Sequence, residues 1–436
     1  MKSQEEYIER RKVVYCQSMR IIHVSHSNKF GGAATYVDRV INSHISLNVD
    51  NVLLASTLKD SSYKSHIISP SGKKNINYIR AKLAQTADSK IKNLEMSQVH
   101  TYKSPNLIGA IKASDLNRDQ GEIIHFYWIN GGLISLRQIE KISKPIVWTM
   151  LDMWPFLGSE HYLTDLNNLR YVEGYKKSNK PVNSQGIDVC KIIWKLKKKH
   201  YNKFYLVSPS KWLAEEAKKS ALFFEQHVEI IPPPIDANVF EPIDKSLARS
   251  FFDLKKEDFI IGYLGGTSIR KGWNLIKDLC NYYDSNNNWQ FLLGGASKES
   301  FIKDCKLKDN INFVGRLDNN DQLVKFYSSI DVLMVPSIAE AYGLVAQEAQ
   351  TMGIPVIVFE NTGAEDIVVH GLNGLVCKER NVKSLKLAIE NLCAVEESKK
   401  IINANISRQR AIKEWSFNTI GSKYLSLYEK INFRNT

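Results

Sequence analysis

Long apolar runs are what this chain of 436 residues most plainly lacks. None approaches the roughly 18 residues that a membrane-spanning helix requires. The first twenty residues are charged and carry no apolar centre of the kind a secretory signal has, so a cytoplasmic location is expected. Cysteine is sparse: Cys16, Cys190, Cys280, Cys305, Cys377 and Cys393 stand far apart, with no C-x-x-C pair among them. That spacing signals neither a zinc site nor a disulfide framework. No D-x-D occurs either. With no paired aspartates to hold a divalent ion, no metal and no other cofactor is expected. Zinc-finger, RRM and basic-zipper patterns are missing, so nucleic acid is not an expected partner.

What is present has globular proportions. Hydrophobic residues make up 43% and charged residues 24%, which excludes wholesale disorder. The length suits two domains of roughly 200 residues better than one core. The net charge of +13 is unevenly spread: residues 1–250 hold 36 Lys and Arg against 24 Asp and Glu, the remainder 23 against 22. A basic front half fits an anionic substrate or an anionic membrane surface.

Short apolar bursts alternate with helix-length polar segments. Met19 to Ser25, Val52 to Ala55, Ile123 to Trp128, Pro145 to Thr149, Phe204 to Val207 and Val228 to Ile231 read as strands. Three prolines, Pro232 to Pro234, can continue neither sheet nor helix and read as a linker. A second series follows at Ile260 to Leu264, Gln290 to Leu293, Ile311 to Val314, Val332 to Val335 and Pro355 to Phe359. Such alternation predicts parallel sheets covered on both faces. The expected organisation is an extension over 1–18, an N-terminal domain over 19–231 and a C-terminal domain over 232–412. A closing segment, 413–436, follows, its helix from about Lys413 to Ile431 packing back on the N-terminal domain. Residues 60–120 are lysine-rich and poorly periodic, and yield no order of elements.

The segment from Pro336 to Ala349 is the most specific in the chain. Glu340 and Glu348 stand eight apart with Gly343 between them, directly after a strand. If the helix opens at Gly343, Glu340 hangs from the loop at its mouth and Glu348 lies about two turns inward. The first amides, those of Gly343, Leu344 and Val345, then have no acceptor within the helix and favour a phosphate. Glu348 can accept both hydroxyls of a ribose diol. The plainer alternative is two solvated helix glutamates. Arg270 and Lys271, before Gly272, supply cations for a diphosphate or are ordinary turn residues. Gly31 and Gly32 allow close backbone approach or simply a tight turn.

Taken together, the run from Glu340 to Glu348, with Gly353 to Pro355 and Asn373-Gly374 after it, resembles the C-terminal signature of the retaining GT-B glycosyltransferases, family 4. Gly31 to Ala34 is similar to the N-terminal glycine loop of that family. Trp148 to Phe156, His161-Tyr162 and Val207 to Leu213 resemble its colanic-acid-type branch, which builds surface polysaccharides. The resemblance runs from about Met19 to the C-terminus. It implies an α/β chain of two Rossmann-like, doubly wound parallel-sheet domains facing across a cleft. It also implies sugar transfer from a nucleotide-sugar donor to a glycan or lipid-linked acceptor, with retention and without a metal. By the same resemblance Glu340 orients the donor sugar, Glu348 binds the ribose, and Arg270 and Lys271 clamp the diphosphate. Arg316 lies where the base is lined, and Gly31 and Gly32 approach the donor. Asp152, Trp154 and His161 fall on the acceptor side.

Two departures stand out. Gly265, Gly266 and Thr267 occupy the place where the family usually has an arginine, leaving Arg270 to act with Lys271. Leu151 stands where the branch has a histidine facing the donor sugar. His125 and His161 are the candidates to replace it, each also readable as an ordinary structural histidine. A non-catalytic scaffold, or a nucleotide-sugar 2-epimerase, is therefore a competing expectation. Finally, residues 190–203 contain six lysines and no acid, with Ile192, Ile193, Trp194 and Leu196 as an apolar side. Such a segment can lie on an anionic membrane as a peripheral contact, or can be a surface helix with a solvated face.

Overall fold

The computed structural model describes residues 19–433, apart from 29–30, 57–62, 64, 68–75, 98–101, 164, 166, 183, 202, 282–288 and 303–308. The expected extension over 1–18, with Cys16, lies outside the described residues, as does Cys305. The chain forms two compact units. Unit 1 runs to Pro234 and resumes at Phe417; unit 2 spans Ile235–Ser416.

Unit 1 is built on a seven-stranded sheet in the order β3-β2-β1-β5-β6-β8-β9. Its strands are β1 (Arg20–Val24), β2 (Asp50–Ala55), β3 (Ser65–Ile67), β5 (Ile123–Phe126), β6 (Ile146–Thr149), β8 (Tyr205–Ser208) and β9 (Val228–Ile230). Every pairing in it is parallel. A separate antiparallel pair joins β4 (Glu95–Ser97) to β7 (Ser184–Gly186). Unit 2 carries a six-stranded parallel sheet in the order β12-β11-β10-β13-β14-β15. Its strands are β10 (Phe259–Leu264), β11 (Trp289–Gly294), β12 (Ile311–Gly315), β13 (Val332–Val335), β14 (Val356–Phe359) and β15 (Gly374–Cys377). The apolar bursts became central strands because a parallel strand is buried on both faces. Segments β3, β4 and β7 are three residues each and weakly apolar, and β15 is four residues opening on a glycine, so periodicity does not reveal them.

Six of the helices position side chains discussed below: α1 (Gly32–Ile45), α2 (Val189–His200), α3 (Asn320–Ser329), α4 (Leu344–Thr351), α5 (Glu397–Trp415) and α6 (Phe417–Phe433). The expected closing helix begins at Phe417 rather than near Lys413, because Ser416 takes extended backbone and ends α5. Helix α6 buries Ile420, Gly421, Tyr424, Tyr428 and Ile431, a stripe at helical spacing. At Gly421 it approaches α1 so closely that a Cβ would meet Leu47 at 2.7 Å and the Ser43 carbonyl at 2.9 Å.

Under this helix lies an unusual core. His23 on β1 stands in register with His125 on β5, and His44 on α1 packs 5.3 Å from His23 between ring centroids. All three are fully buried. His125 bonds Tyr428 and Thr149, each at 2.7 Å, and His23 bonds Tyr127 at 2.9 Å and Asn51 at 2.7 Å. His125 is therefore a core residue that ties the terminal helix down. It is not placed to face a donor sugar in place of Leu151.

The lysine-rich segment is α2. Of its apolar side, Ile193 and Trp194 turn inward and are buried, whereas Ile192 stays 45% exposed. Lys197 is buried too: its ammonium donates to the carbonyls of Trp154, Leu157 and Gly158 and lies 3.5 Å over the Trp154 ring. Of the expected cationic face, Lys195, Lys198 and Lys199 remain exposed. Burial pushes the Lys197 pKa down, opposed by Glu160 and Asp152. Among the described residues no helix is long and apolar enough to cross a membrane.

The histidine cluster predicts acid sensitivity. Burial lowers His23 to about 4, opposed by its bond to Asn51. His44 and His125 are pushed well below 6.5, first by burial and then by nearby imidazoles. Such groups stay neutral when folded but bind protons when unfolded. Their contribution to stability is whole above about pH 6.5 and falls as pH drops toward their folded values, by up to about 1.4 kcal/mol per pH unit for each. Urea unfolding followed at about pH 7.5, 6 and 5, which straddle the histidine range, should show the unit 1 transition moving steadily to lower urea. A midpoint independent of pH across that range is inconsistent with neutral buried imidazoles.

Candidate functional site

In unit 2 the strand order reverses between β10 and β13. At such a switch the loops leaving the two strands diverge and open a crevice at their carboxyl ends. The loop after β10 carries a short 3-10 turn, Ile269–Lys271, closed by Gly272 at φ 73°. The loop after β13 carries Ser337 and Glu340. Fold topology thus brings together the cations and the carboxylate that the sequence pairs only by motif.

Glu340 is 8% exposed. Its Oε2 receives Lys271 Nζ in a short ion pair and Ser337 Oγ at 3.2 Å, with Arg270 Nη1 at 3.7 Å. Burial by itself raises this carboxyl pKa. Lys271 and then Arg270 outweigh it, and the group is held below 4.5 and ionised. The two cations keep about a quarter of their side-chain surface exposed, so they can still meet a ligand. The loop itself is clamped. Arg270 Nη1 donates to the Ala339 carbonyl at 2.8 Å, and Arg380 donates to those of Ile338 at 2.7 Å and Glu360 at 3.0 Å.

Gly343 caps α4 at φ 100°, a conformation that costs glycine little. The first-turn amides of Leu344 and Val345 have no acceptor within their own helix, as an anion site requires. Glu348 is the fifth residue of α4, just over one turn from its start rather than two. It is buried, and its Oε2 accepts from Tyr327 Oη on α3 at 2.7 Å. Arg316, directly after β12, is an exposed side chain with Asp318 3.6 Å away. The structure therefore groups Glu340, Arg270, Lys271 and Gly343 around one loop. It puts Glu348 one turn inside α4 and leaves Arg316 at the end of another strand.

Unit 1 has its own reversal, between β1 and β5. Gly31 and Gly32 follow β1, Gly31 capping α1 at φ 88° with open space where a Cβ would stand. On β6 and its loop, Asp152 is buried with both oxygens engaged. Oδ1 caps Trp154 N at 2.9 Å, and Oδ2 accepts from Trp128 Nε1 at 3.1 Å and meets His161 Nδ1 at 2.6 Å. His161 Nε2 meets Ser104 Oγ at 2.9 Å. Trp154 is almost wholly buried and gives its indole N–H to the Ser104 carbonyl. Asp152 and His161, 6% and 4% exposed, thus form one array that reaches the surface only slightly, and Trp154, 1% exposed, is a wall behind it. Leu151 packs against the unit 1 core. Among the described residues no three His, Cys, Asp or Glu side chains gather as a metal site.

Residues 244–409 match the family Glycosyl transferases group 1. The match takes in nearly all of unit 2, including every candidate residue placed there. The capsular polysaccharide biosynthesis glycosyltransferase CapM of Staphylococcus aureus is 28% identical over 194 residues, covering 43% of this chain and 50% of CapM. Across the curated relatives it matches, the chain spans about half their length. Sucrose-phosphate synthase from Thermosynechococcus elongatus superposes with a TM-score of 0.67 at 16% identity, covering 96% of this chain and all of that one. Anabaena HepE in complex with UDP and glucose gives 0.61 at 15% identity, covering 94% of this chain and 99% of HepE. The two parallel-sheet, Rossmann-like domains are those of the GT-B fold.

Within the segment that matches this family, sequence reasoning missed Tyr327, Ser337 and Arg380. Ser337 lies inside the motif already singled out and was within reach. Tyr327 and Arg380 come from 21 residues before Glu348 and 40 after Glu340, and nothing local marks them. Gly272 is a sharper test of the loop. A Cβ there would lie 2.0 Å from the Pro336 carbonyl oxygen, backbone that cannot yield without moving Ser337 and Glu340. Gly272→Ala should destabilise unit 2 by about 3 kcal/mol or more, whereas Gly266→Ala, with nothing within 4 Å, should stay within about 0.5 kcal/mol. Denaturant unfolding of the two variants decides it; equal stabilities would mean that Gly272 is not pressed against the Pro336 backbone.

Proposed function

We propose that the protein is a retaining glycosyltransferase that moves a sugar from a nucleotide-sugar to a glycan or lipid-linked acceptor, without a metal, in surface polysaccharide assembly. The observation that carries this reading is the ionised Glu340 held between Lys271 and Arg270 at the mouth of α4. A leaving diphosphate gains negative charge as the glycosidic bond breaks. Fixed cations and helix amides already aimed at that point lower the barrier without reorganising. Glu340, ionised beside them, fixes the sugar so that the anomeric carbon lies over the diphosphate. The leaving phosphate takes the acceptor proton on the same face, which keeps the anomeric configuration. Glu348 holds the ribose, with Tyr327 setting its rotamer.

Several findings support this. The family match covers the motif residues, CapM is named for capsule biosynthesis, and HepE is described with UDP and glucose. In unit 1, Asp152 and His161 supply the polar face we assign to the acceptor, and Gly31 and Gly32 the close approach to the donor. The exposed Lys195, Lys198 and Lys199 are the contact we assign to an anionic membrane. A catalytically silent scaffold is the second reading. It is favoured by Leu151, which stands packed against the core where the branch has a histidine, and by His125, which is buried within the core and cannot replace it.

Incubation with a panel of nucleotide-sugars, following release of nucleoside diphosphate, separates the two. Glu340→Gln should lower turnover by about 30- to 1,000-fold, equivalent to about 2–4 kcal/mol on the barrier, with donor affinity largely kept. Glu348→Ala should do the reverse, weakening nucleotide binding by about 1.5–3 kcal/mol in calorimetry. Wild-type turnover in Glu340→Gln would falsify the assignment and leave the scaffold reading.

Chelation is a separate check. Transfer should continue essentially unchanged in EDTA, since Lys271, Arg270 and the α4 amides neutralise the diphosphate. Abolition by EDTA with rescue by manganese would require a bound metal in the step.

A further inference from the structure

Unit 2 holds a cavity of about 340 Å³ at the amino ends of its strands. Phe259 opens β10, Ile330 and Asp331 precede β13, Pro355 precedes β14 and Asn373 precedes β15, and all of them line it. In a parallel sheet the amino and carboxyl ends lie on opposite edges. Residues that form the donor crevice, after β10 and β13, are therefore a full strand away, roughly 13–20 Å at 3.3 Å per residue. None of Glu340, Lys271, Arg270 or Glu348 touches this cavity.

Its size falls at the lower end of the range for small-molecule sites, roughly 300–1,000 Å³. The floor is apolar, with Ile354, Leu372, Leu375, Leu392 and Ala404 among its walls. At the rim the charges do not cancel. Lys245, Lys399 and Lys400 line it against Asp331 and Glu397, and Asp331, 2.5 Å from Lys245, is also held at 2.7 Å by Arg249, which is buried behind the lining. Glu397 stands 3.5 Å from Lys400. Lys399 has no ion pair among the described residues and lines the same mouth, as do the amides of Asn391 and Asn403. An apolar floor beneath a rim with surplus positive charge and free amides selects a molecule of complementary build.

We propose that this cavity is a binding site for a small amphipathic anion, its hydrocarbon part on the floor and its acidic head at Lys399 and Lys245. The site is separate from the donor crevice, and its existence does not depend on the transfer reaction.

The test uses the full chain and anilinonaphthalene sulfonate, an apolar fluorophore with one anionic group. Wild type should bind one equivalent saturably. Decanoate should displace the dye, while decyltrimethylammonium, of like length and opposite charge, and UDP should not. Ile401 lines the mouth and is 56% exposed, so a larger side chain there can fill the entrance without entering the core. Ile401→Trp should weaken dye binding about tenfold, with nucleotide binding and melting temperature unchanged. If that variant is unstable, Lys399→Glu, an exposed charge reversal, should give a loss of the same order. Absence of saturable binding, displacement by UDP, or wild-type affinity in the folded variant would overturn the proposal.

Discussion

A carboxylate nine-tenths buried can stay ionised only if charge stands against it, and in this protein the rest of unit 2's working edge is organised around that need. Glu340 has Lys271 and Arg270 beside it. Withdrawing one partner from a buried pair leaves an uncompensated charge, typically costing several kcal/mol, so the two loops that carry the partners are held in register. Arg270 does this twice, lending charge to Glu340 and a hydrogen bond to the backbone of the same loop. Arg380 braces the loop from the other side, and Gly272 and Gly363 let backbone pass where any Cβ would collide. The pre-set cations are also what a departing diphosphate would need.

The placement of these groups follows from how parallel sheets are wound. Each unit begins at a central strand, grows to one side and then returns to grow on the other. The reversal opens a crevice at the carboxyl ends, and both glycine-capped helices start there: α1 at Gly31 and α4 at Gly343. At the opposite edge in unit 2, α5 supplies part of the wall of a cavity. One winding rule thus yields two edges of different chemistry: a polar, charged one at the carboxyl ends and an apolar one rimmed with cations at the amino ends.

Unit 1 solves a different problem. Its last helix arrives after the whole of unit 2 has been threaded, and it docks on a core that is polar and neutral: His23, His44 and His125 with Tyr36, Tyr127, Tyr424 and Tyr428. A plain apolar surface would accept many helix rotations. A network in which Tyr428 must reach His125 and Tyr424 must reach Tyr36 and Thr149 accepts one, since buried polar groups left unpaired are costly. The same arrangement explains why burial, and not solvent, sets the titration of all three imidazoles.

Much of this was legible in the residues alone. Apolar bursts of four to six residues marked the central strands, because burial on both faces leaves no polar alternation to blur them. Gly343 after a strand marked the start of α4, and the triplet Arg270-Lys271-Gly272 marked a cationic turn. Local sequence could not show which face of a helix meets the interior when lysines are interleaved with its apolar residues. Lys197 reads as a surface charge until the three carbonyls of the 154–158 loop are folded around it. Trp154 resembles an acceptor-side residue until the Lys197 ammonium is folded over its ring, and His125 reads as a candidate ligand until Tyr428, 303 residues later, is brought against it. Glu348 was visible as a carboxylate on a helix, but its partner Tyr327 lies on another. Sequence determines periodicity, capping and charge, which are properties of neighbours along the chain. Strand order decides which distant side chains share one dry volume, and only there do hydrogen bonds and ion pairs fix what each group can do.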